Sequence, residues 1–446
     1  MTHLRALSLS QLAHAYRYEG LSPIEVCKSY LDVLEEGDVY RIITHARALT
    51  QAQQAEALFQ QGIDIGPLQG IPIALKDLLD TQGQVTAAGS TARLVYPAAV
   101  QDCPAVEHLD AAGAVFLGKT NMTELAFSGV GINPHFGTPG CAKDTTRIPG
   151  GSSSGSGVAV ASQLACAAIG SDTGGSVRIP AAFNGIVGLK PTDGTISNEG
   201  VVALSTTLDT LGPMARTVTD TWHLWRALAG HSPQGFLPMS PKGLRVLAIT
   251  KPFQDSLDDA VNTGFQQGCE AFETLGIRLS HQSLDVMDDI EHLFTDYGNF
   301  TGYEALVWHE DILKNQLDNI DPRVSTRIFK AEGLPASRYI KLMYERPKVC
   351  AAFWEACDTF DAIIAPTVPI LPPKIDSLGK DDEYFRVNGL CLRNTRVFNM
   401  LGVPAVSVPC ATTEDGLSIG MMIATRPHQE ALALSLAYAL EQHPNL

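Results

Sequence analysis

Two glycine- and serine-rich runs hold the residue types best suited to chemistry: Gly150-Gly151-Ser152-Ser153-Ser154-Gly155-Ser156-Gly157 and Asp172-Thr173-Gly174-Gly175-Ser176-Val177-Arg178. Such runs set bare backbone N–H groups beside hydroxyls, because glycine reaches conformations that a Cβ forbids. A flexible linker is the plain reading, but the apolar segment between the runs, Val158–Gly170, reads as a buried helix and argues against it. A phosphate cradle fails as well, since no Gly-Lys-Ser/Thr follows the glycines and neither run reads G-x-G-x-x-G. The third reading is acyl transfer, with a serine nucleophile beside backbone donors that receive an oxyanion.

That chemistry needs a base, and no histidine lies in or near either run. A lysine kept neutral by burial is the remaining common solution, because desolvation disfavours the ammonium. Gly70-Ile71-Pro72-Ile73-Ala74-Leu75-Lys76-Asp77 offers one at the end of an apolar, strand-like run. Taken alone, Lys76 fits a surface side chain with a buried stem better than it fits a base.

These stretches together resemble the amidase signature family. The resemblance rests on Gly70–Asp77, Pro149–Ser156 and Asp172–Phe183. It continues through Gly185–Thr192 and Thr206–Pro213, and resumes at Ala365–Pro369 and Asn394–Pro404. It implies a Ser–Ser–Lys triad of Ser176 as nucleophile, Ser152 as bridging serine in a cis linkage to its neighbour, and Lys76 as base. It also implies an oxyanion hole from the N–H groups of Thr173, Gly174, Gly175 and Ser176, supported by Gly151, Ser153, Asp172 and Arg178. Met122, in the loop Gly118–Glu124, is the expected substrate contact. Ser154 stands where many members have glycine.

The implied activity is hydrolysis of a carboxamide to acid plus ammonia or amine, without cofactor. Two alternatives stay open: the glutaminase subunit of a tRNA-dependent amidotransferase, and a hydrolase of a small urea-derived compound such as carboxybiuret or allophanate. Amidotransferase relatives often read Ile-Arg-Gln-Pro after the nucleophile, where this chain has Val177-Arg178-Ile179-Pro180. Side chains that invite other assignments are read as structural: Cys141 as a packed thiol, His135 and Lys119 as outside the chemistry, and Asp172 with Arg178 as fixing loop shape.

The rest of the chain must position these groups. The 446 residues are 45% hydrophobic, with 32 basic against 48 acidic side chains and a net charge of −16, which opposes direct contact with nucleic acid or anionic membrane. Nine scattered cysteines, an odd number without a Cys-x-x-Cys pair, suit free thiols in a reducing cytoplasm. No residues show zinc-ligand spacing. The start, Met1-Thr2-His3-Leu4-Arg5-Ala6-Leu7-Ser8, is polar and helical, unlike a secretion signal, and no apolar run is long enough to cross a membrane, so a soluble protein is expected.

Residues 1–65 read as a helical segment with one short strand, including a capping box at Ser22-Pro23-Ile24-Glu25. Its surface leaves room for a homodimer or a small partner subunit. From 66 to 230 strands and helices alternate, which predicts an α/β fold with a large mixed, mostly parallel central sheet covered by helices on both faces. A linker at His231–Gly243 leads into 244–446, expected to complete the sheet and wall the substrate pocket within one amidase domain. There, Tyr303–Leu317 and Ala336–Thr359 read as helices, with Pro347 breaking or kinking the second.

Overall fold

A computed structural model describes residues 2–444. Its strands are β1 (Tyr40–Ile43), β2 (Pro72–Lys76), β3 (Val115–Thr120), β4 (Ala167–Asp172), β5 (Val187–Lys190), β6 (Thr210–Ala215), β7 (Arg245–Ile249), β8 (Arg278–Gln282), β9 (Ala362–Pro366), β10 (Ala405–Thr412) and β11 (Ser418–Ala424). All eleven join one mixed sheet in the order β1-β3-β2-β4-β6-β5-β10-β11-β9-β7-β8. Parallel pairing is confined to two groups, β3-β2-β4 and β9-β7-β8. The ladders between those groups, and β1 on β3, are antiparallel. The parallel share is therefore smaller than expected, while the mixed sheet stands.

Helices cover both faces, and glycines set how closely they approach. On β11, Gly420 faces the helix Arg178–Asn184, where a Cβ would stand 2.8 Å from Ala182 Cβ. The neighbouring Ile419 and Met421 point the other way, onto Gly264 and Gly268 of the helix Asp259–Thr274. Strands β2, β3, β4 and β6 are buried at every position, which explains their continuous apolar runs.

Several expectations change. Val158–Gly170 is not one helix: a helix spans Ser154–Ala161, Gln163 turns the chain with φ 57°, and β4 begins at Ala167. A buried helix and a buried strand share the same apolar signature, and the polar break at Ser162-Gln163 was the only local cue. The expected helix Tyr303–Leu317 is two helices, Phe300–Trp308 and Glu310–Asn315. Ala336–Ala356 continues as one helix through Pro347, because that proline sits on the exposed side, where the carbonyl it leaves unpaired meets water. The start is helical over Thr2–Ala6, and Met1 lies outside the described residues. His231–Gly243 has no regular structure but is tied down by Trp222 Nε1 to Gln234 O and by Met239 N to Ser435 Oγ. No helix among the described residues is long and apolar enough to cross a membrane.

A buried carboxylate helps to dock the N-terminal helices, beside their apolar packing. Asp220, fully buried at the start of the helix Val218–Leu228, accepts from Leu9 N at 3.1 Å, Ser10 N at 3.0 Å and Ser10 Oγ at 2.7 Å. It thereby caps the first turn of the helix Leu9–Tyr18 with negative charge. Asp220→Ala leaves those donors unpaired in a closed interior and is expected to cost about 2–3 kcal/mol in denaturant unfolding. A loss under about 0.5 kcal/mol would mean that apolar packing alone holds the segment.

Candidate active site

The site lies at the carboxyl ends of the parallel trio β3-β2-β4. Lys76 is the last residue of β2, and β4 runs beside it into the Asp172–Arg178 loop. Lys76 is fully buried, with Nζ 2.7 Å from Ser152 Oγ and 2.8 Å from Ser171 Oγ. Burial pulls its pKa down to about 7, against the weaker opposing pull of Asp209 and Asp172.

Two other lysines are equally buried, and the comparison separates them. Lys119 stands 3.1 Å from Asp77, and Lys190 stands 2.7 Å from Asp193. Lys76 alone of the three has hydroxyls and no carboxylate at its amine. A buried ammonium keeps its proton when a carboxylate compensates it and sheds it when none does. Ser171, which receives the second Lys76 contact, is not found by sequence reasoning. It directly follows a segment that reads as helix, so its direction toward β2 cannot be seen there.

The Gly-Ser run places Ser152 at the foot of the helix Ser154–Ala161. The Gly151–Ser152 peptide is cis, Gly151 N donates to Gly129 O at 2.8 Å, and Ser152 O accepts from Thr123 N at 3.0 Å. Gly151 has no room for a side chain, since a Cβ would stand 2.7 Å from Gly131 N and Thr123 Oγ1. Ser153 joins the two runs: its N donates to Ser176 O at 3.2 Å, and its hydroxyl donates to Ser171 O at 3.3 Å.

Asp172 shapes the second run. Its carboxylate accepts from Gly175 N at 2.8 Å, Val177 N at 3.1 Å and Asn399 Nδ2 at 2.8 Å, and pairs with Arg178 at 2.8 Å. Burial pushes this carboxyl's pKa up, but Arg178 and Asn399 more than reverse the effect and hold it well below the usual range. Arg178 also reaches Thr395 O at 3.0 Å and Asn399 Oδ1 at 2.7 Å. At Gly175, φ is +131° and a Cβ would collide with Thr395 Oγ1 at 2.1 Å.

The Asp172 contact corrects one expectation. The Gly175 N–H is already committed to a carboxylate, so it is not free to receive an oxyanion. The amides of Thr173, Gly174 and Ser176 have no acceptor among the described residues. Thr173, Gly174 and Ser176 line a cleft of about 240 Å³, whose other walls include Phe127, Leu208, Arg327 and Asn388. The Thr173 hydroxyl donates to Asp209, whose carboxyl burial raises to about 6.

Met122 does not line this cleft. It is fully buried in the main apolar cluster, and its carbonyl accepts from Asn133 at 2.7 Å. Leu125 and Ala126, both at positive φ, turn the loop so that Ala126, Phe127 and Ser128 reach the cleft instead. His135 stands 3.1 Å from Glu124, and the Cys141 thiol donates to Phe183 O at 3.1 Å, with burial raising its pKa.

Comparison with known proteins shows the family. The sequence profile of the family described as Amidase matches residues 26–434. The chain is 31% identical to 2-amino-5-chloromuconic acid deaminase of Comamonas testosteroni, over 98% of this chain and 96% of that one. It is 34% identical to one of the subunits of the glutamyl-tRNA(Gln) amidotransferase of Methanosarcina barkeri, over 94% and 93%. A crystal structure of an amidase superposes with a TM-score of 0.87 at 29% identity, covering 98% of this chain and 99% of the other. With the profile spanning most of its length and such relatives aligned almost end to end, the chain belongs to the amidase family of amide hydrolases.

Proposed function

We propose that the chain hydrolyses a small carboxamide through an acyl-enzyme, with Ser176 as nucleophile, Ser152 as proton carrier and Lys76 as base. The observation that carries this is the buried Lys76 amine held by two serine hydroxyls and no carboxylate. As a neutral amine, Lys76 has one lone pair and two N–H bonds. It donates to Ser171 and takes the proton of Ser152, which in turn takes the proton of Ser176 as Ser176 Oγ attacks the carbonyl carbon.

The carbonyl oxygen becomes an oxyanion held by the N–H groups of Thr173, Gly174 and Ser176. One donor of this kind is worth roughly 3–4 kcal/mol in comparable acyl-transfer sites. Ser152 then passes a proton to the amide nitrogen as the C–N bond breaks, so the leaving group departs as ammonia or amine rather than as an anion. Water enters and gives its proton along the same relay. It attacks the Ser176 ester, and as the ester C–O bond breaks the relay returns that proton to Ser176 Oγ and the acid departs. Asp172, Arg178, Ser153 and Gly175 act as positioning groups that fix the loop carrying the donors.

The Methanosarcina relative is, by its name, part of an amidotransferase. It favours a second reading, in which this chain releases ammonia from glutamine for a partner protein. Ammonia release from aliphatic, ureido and aromatic amides and from glutamine decides between the two. Splitting of glutamine alone, and only with a partner present, would put the second reading first.

Two outcomes test the mechanism. Because the Lys76 pKa lies near 7, kcat/KM for a neutral amide is expected to rise tenfold per pH unit below about pH 7 and level off above it. Lys76→Met should remove that limb and lower kcat by at least about 1000-fold; a profile flat from about pH 5 to 9 would eliminate lysine as base. Ser176→Ala should abolish the mass increase seen when the protein is quenched during turnover. An adduct that persists in this variant would transfer the nucleophile's role elsewhere.

A further inference from the structure

Two carboxylates hold the loop that runs from Asp172 to Arg178, and they differ in charge balance. Asp172 is compensated by Arg178 at 2.8 Å. Asp209, the residue before β6, forms no ion pair among the described residues. Its Oδ1 accepts from the Thr173 hydroxyl, and its Oδ2 accepts from Leu204 N at 2.9 Å and Ser205 N at 3.1 Å. The pairing of β6 with β4 sets Thr210 opposite Asp172, which brings Asp209 to the start of the loop.

Leu204 and Leu208 both line the cleft, so Asp209 ties a cleft wall to the loop carrying Ser176. From the outer side the same wall is held by Glu304, which accepts from Thr207 N at 3.0 Å, from the Tyr339 hydroxyl at 2.7 Å, and from the hydroxyls of Ser205 and Thr207. Burial, with a smaller push from Glu304, raises the Asp209 carboxyl to about 6, so it is an anion at neutral pH.

Few other charges surround Lys76. Asp172 is cancelled by Arg178, and Lys190 beyond it pairs with Asp193 at 2.7 Å. Arg41, Asp77 and Lys119 bond among themselves on the opposite face of β2, since Asp77 follows Lys76 and Lys119 is in register with Leu75. Among the described residues Asp209 is therefore the carboxylate near the amine whose charge nothing cancels, and it pulls harder than Asp172 to keep the proton on Lys76.

We propose that Asp209 is a positioning residue for the acyl transfer: it fixes the Thr173 N–H through the Thr173 hydroxyl, and its unpaired negative charge steadies the ammonium that Lys76 becomes on taking the proton of Ser152. The inference rests on the acyl-enzyme reading and adds a residue to the same site. Contact and charge can be separated. In Asp209→Asn the carboxamide oxygen can accept from Leu204 N and Ser205 N while the NH₂ donates to Thr173 Oγ, so the bonds persist and the charge goes. Thr173→Val keeps the shape and the charge but removes the bond.

The test follows the Lys76 proton by NMR of protein carrying isotope-labelled lysine Cε, with Lys76→Met identifying the resonance, beside pH profiles of kcat/KM. Asp209→Asn is expected to lower the Lys76 midpoint by about one pH unit and to carry the acid limb of kcat/KM down with it. A purely structural role would lower activity and leave both in place. Thr173→Val should lower kcat about 10-fold while KM stays within about threefold, and Thr173→Ser should recover most of that loss. An unmoved Lys76 midpoint in folded Asp209→Asn, or an unchanged kcat in Thr173→Val, overturns the proposal; the Thr173 pair decides by itself should Asp209→Asn fail to fold. Either result leaves the acyl-enzyme reading standing if Ser176 is still acylated. A midpoint that moves while the limb stays would instead remove Lys76 as base and spare its coupling to Asp209.

Discussion

The site depends on an amine that is buried without a compensating charge. A fully enclosed ammonium carries a desolvation penalty of several kcal/mol, and a carboxylate is the usual remedy. Lys119 and Lys190, enclosed to the same degree, each have one. Lys76 has two hydroxyls instead, so its stable form near neutrality includes the free base. The parallel trio enforces this. It brings the end of β2 beside β4, so that Ser171 arrives from the adjacent strand, while the Gly-Ser run delivers Ser152 from the side. Water, which would solvate the ammonium and restore an ordinary pKa, is kept out by strands buried at every position.

A second constraint keeps the Asp172–Arg178 loop in shape. Asp172 gathers the backbone amides of Gly175, Val177 and Arg178, the Arg178 guanidinium and the Asn399 amide, while Arg178 reaches on to the Thr395 carbonyl. This polar cluster is closed and internally satisfied, so it costs little to bury and much to open. It also divides the labour of the loop's N–H groups. Gly175 is used to hold the loop, which leaves Thr173, Gly174 and Ser176 unpaired toward the cleft.

Much of this was legible in the residues. Spaced motifs singled out Lys76 and Ser152, which the structure brings to 2.7 Å of each other, and the alternation after residue 66 pointed to a sheet covered on both faces. The segment 158–170 was not legible, because hydrophobicity at every position carries no period, and the role of Ser171 was lost with it. Met122 looked like a substrate contact from its place in a loop. Its burial depends on the positive-φ turn at Leu125 and Ala126, two residue types that give no warning of such a turn. Arg327 was silent in the sequence for a related reason. An arginine in an amphipathic helix ordinarily faces water, and only the tertiary arrangement shows this one lying over Phe127 in the cleft that Ser176 lines.

The Asp172–Arg178 cluster has a consequence for when the enzyme becomes an enzyme. The loop carrying Ser176 is encoded before the midpoint of the chain, yet the groups that complete its shape, the Thr395 carbonyl and the Asn399 side chain, come from the last part to be synthesised. A growing polypeptide can thus carry Lys76, Ser152 and Ser176 while the contacts that complete the Asp172–Arg178 loop are still unformed. The shape of that loop is therefore complete only once the carboxyl-terminal portion has folded back onto the centre of the sheet.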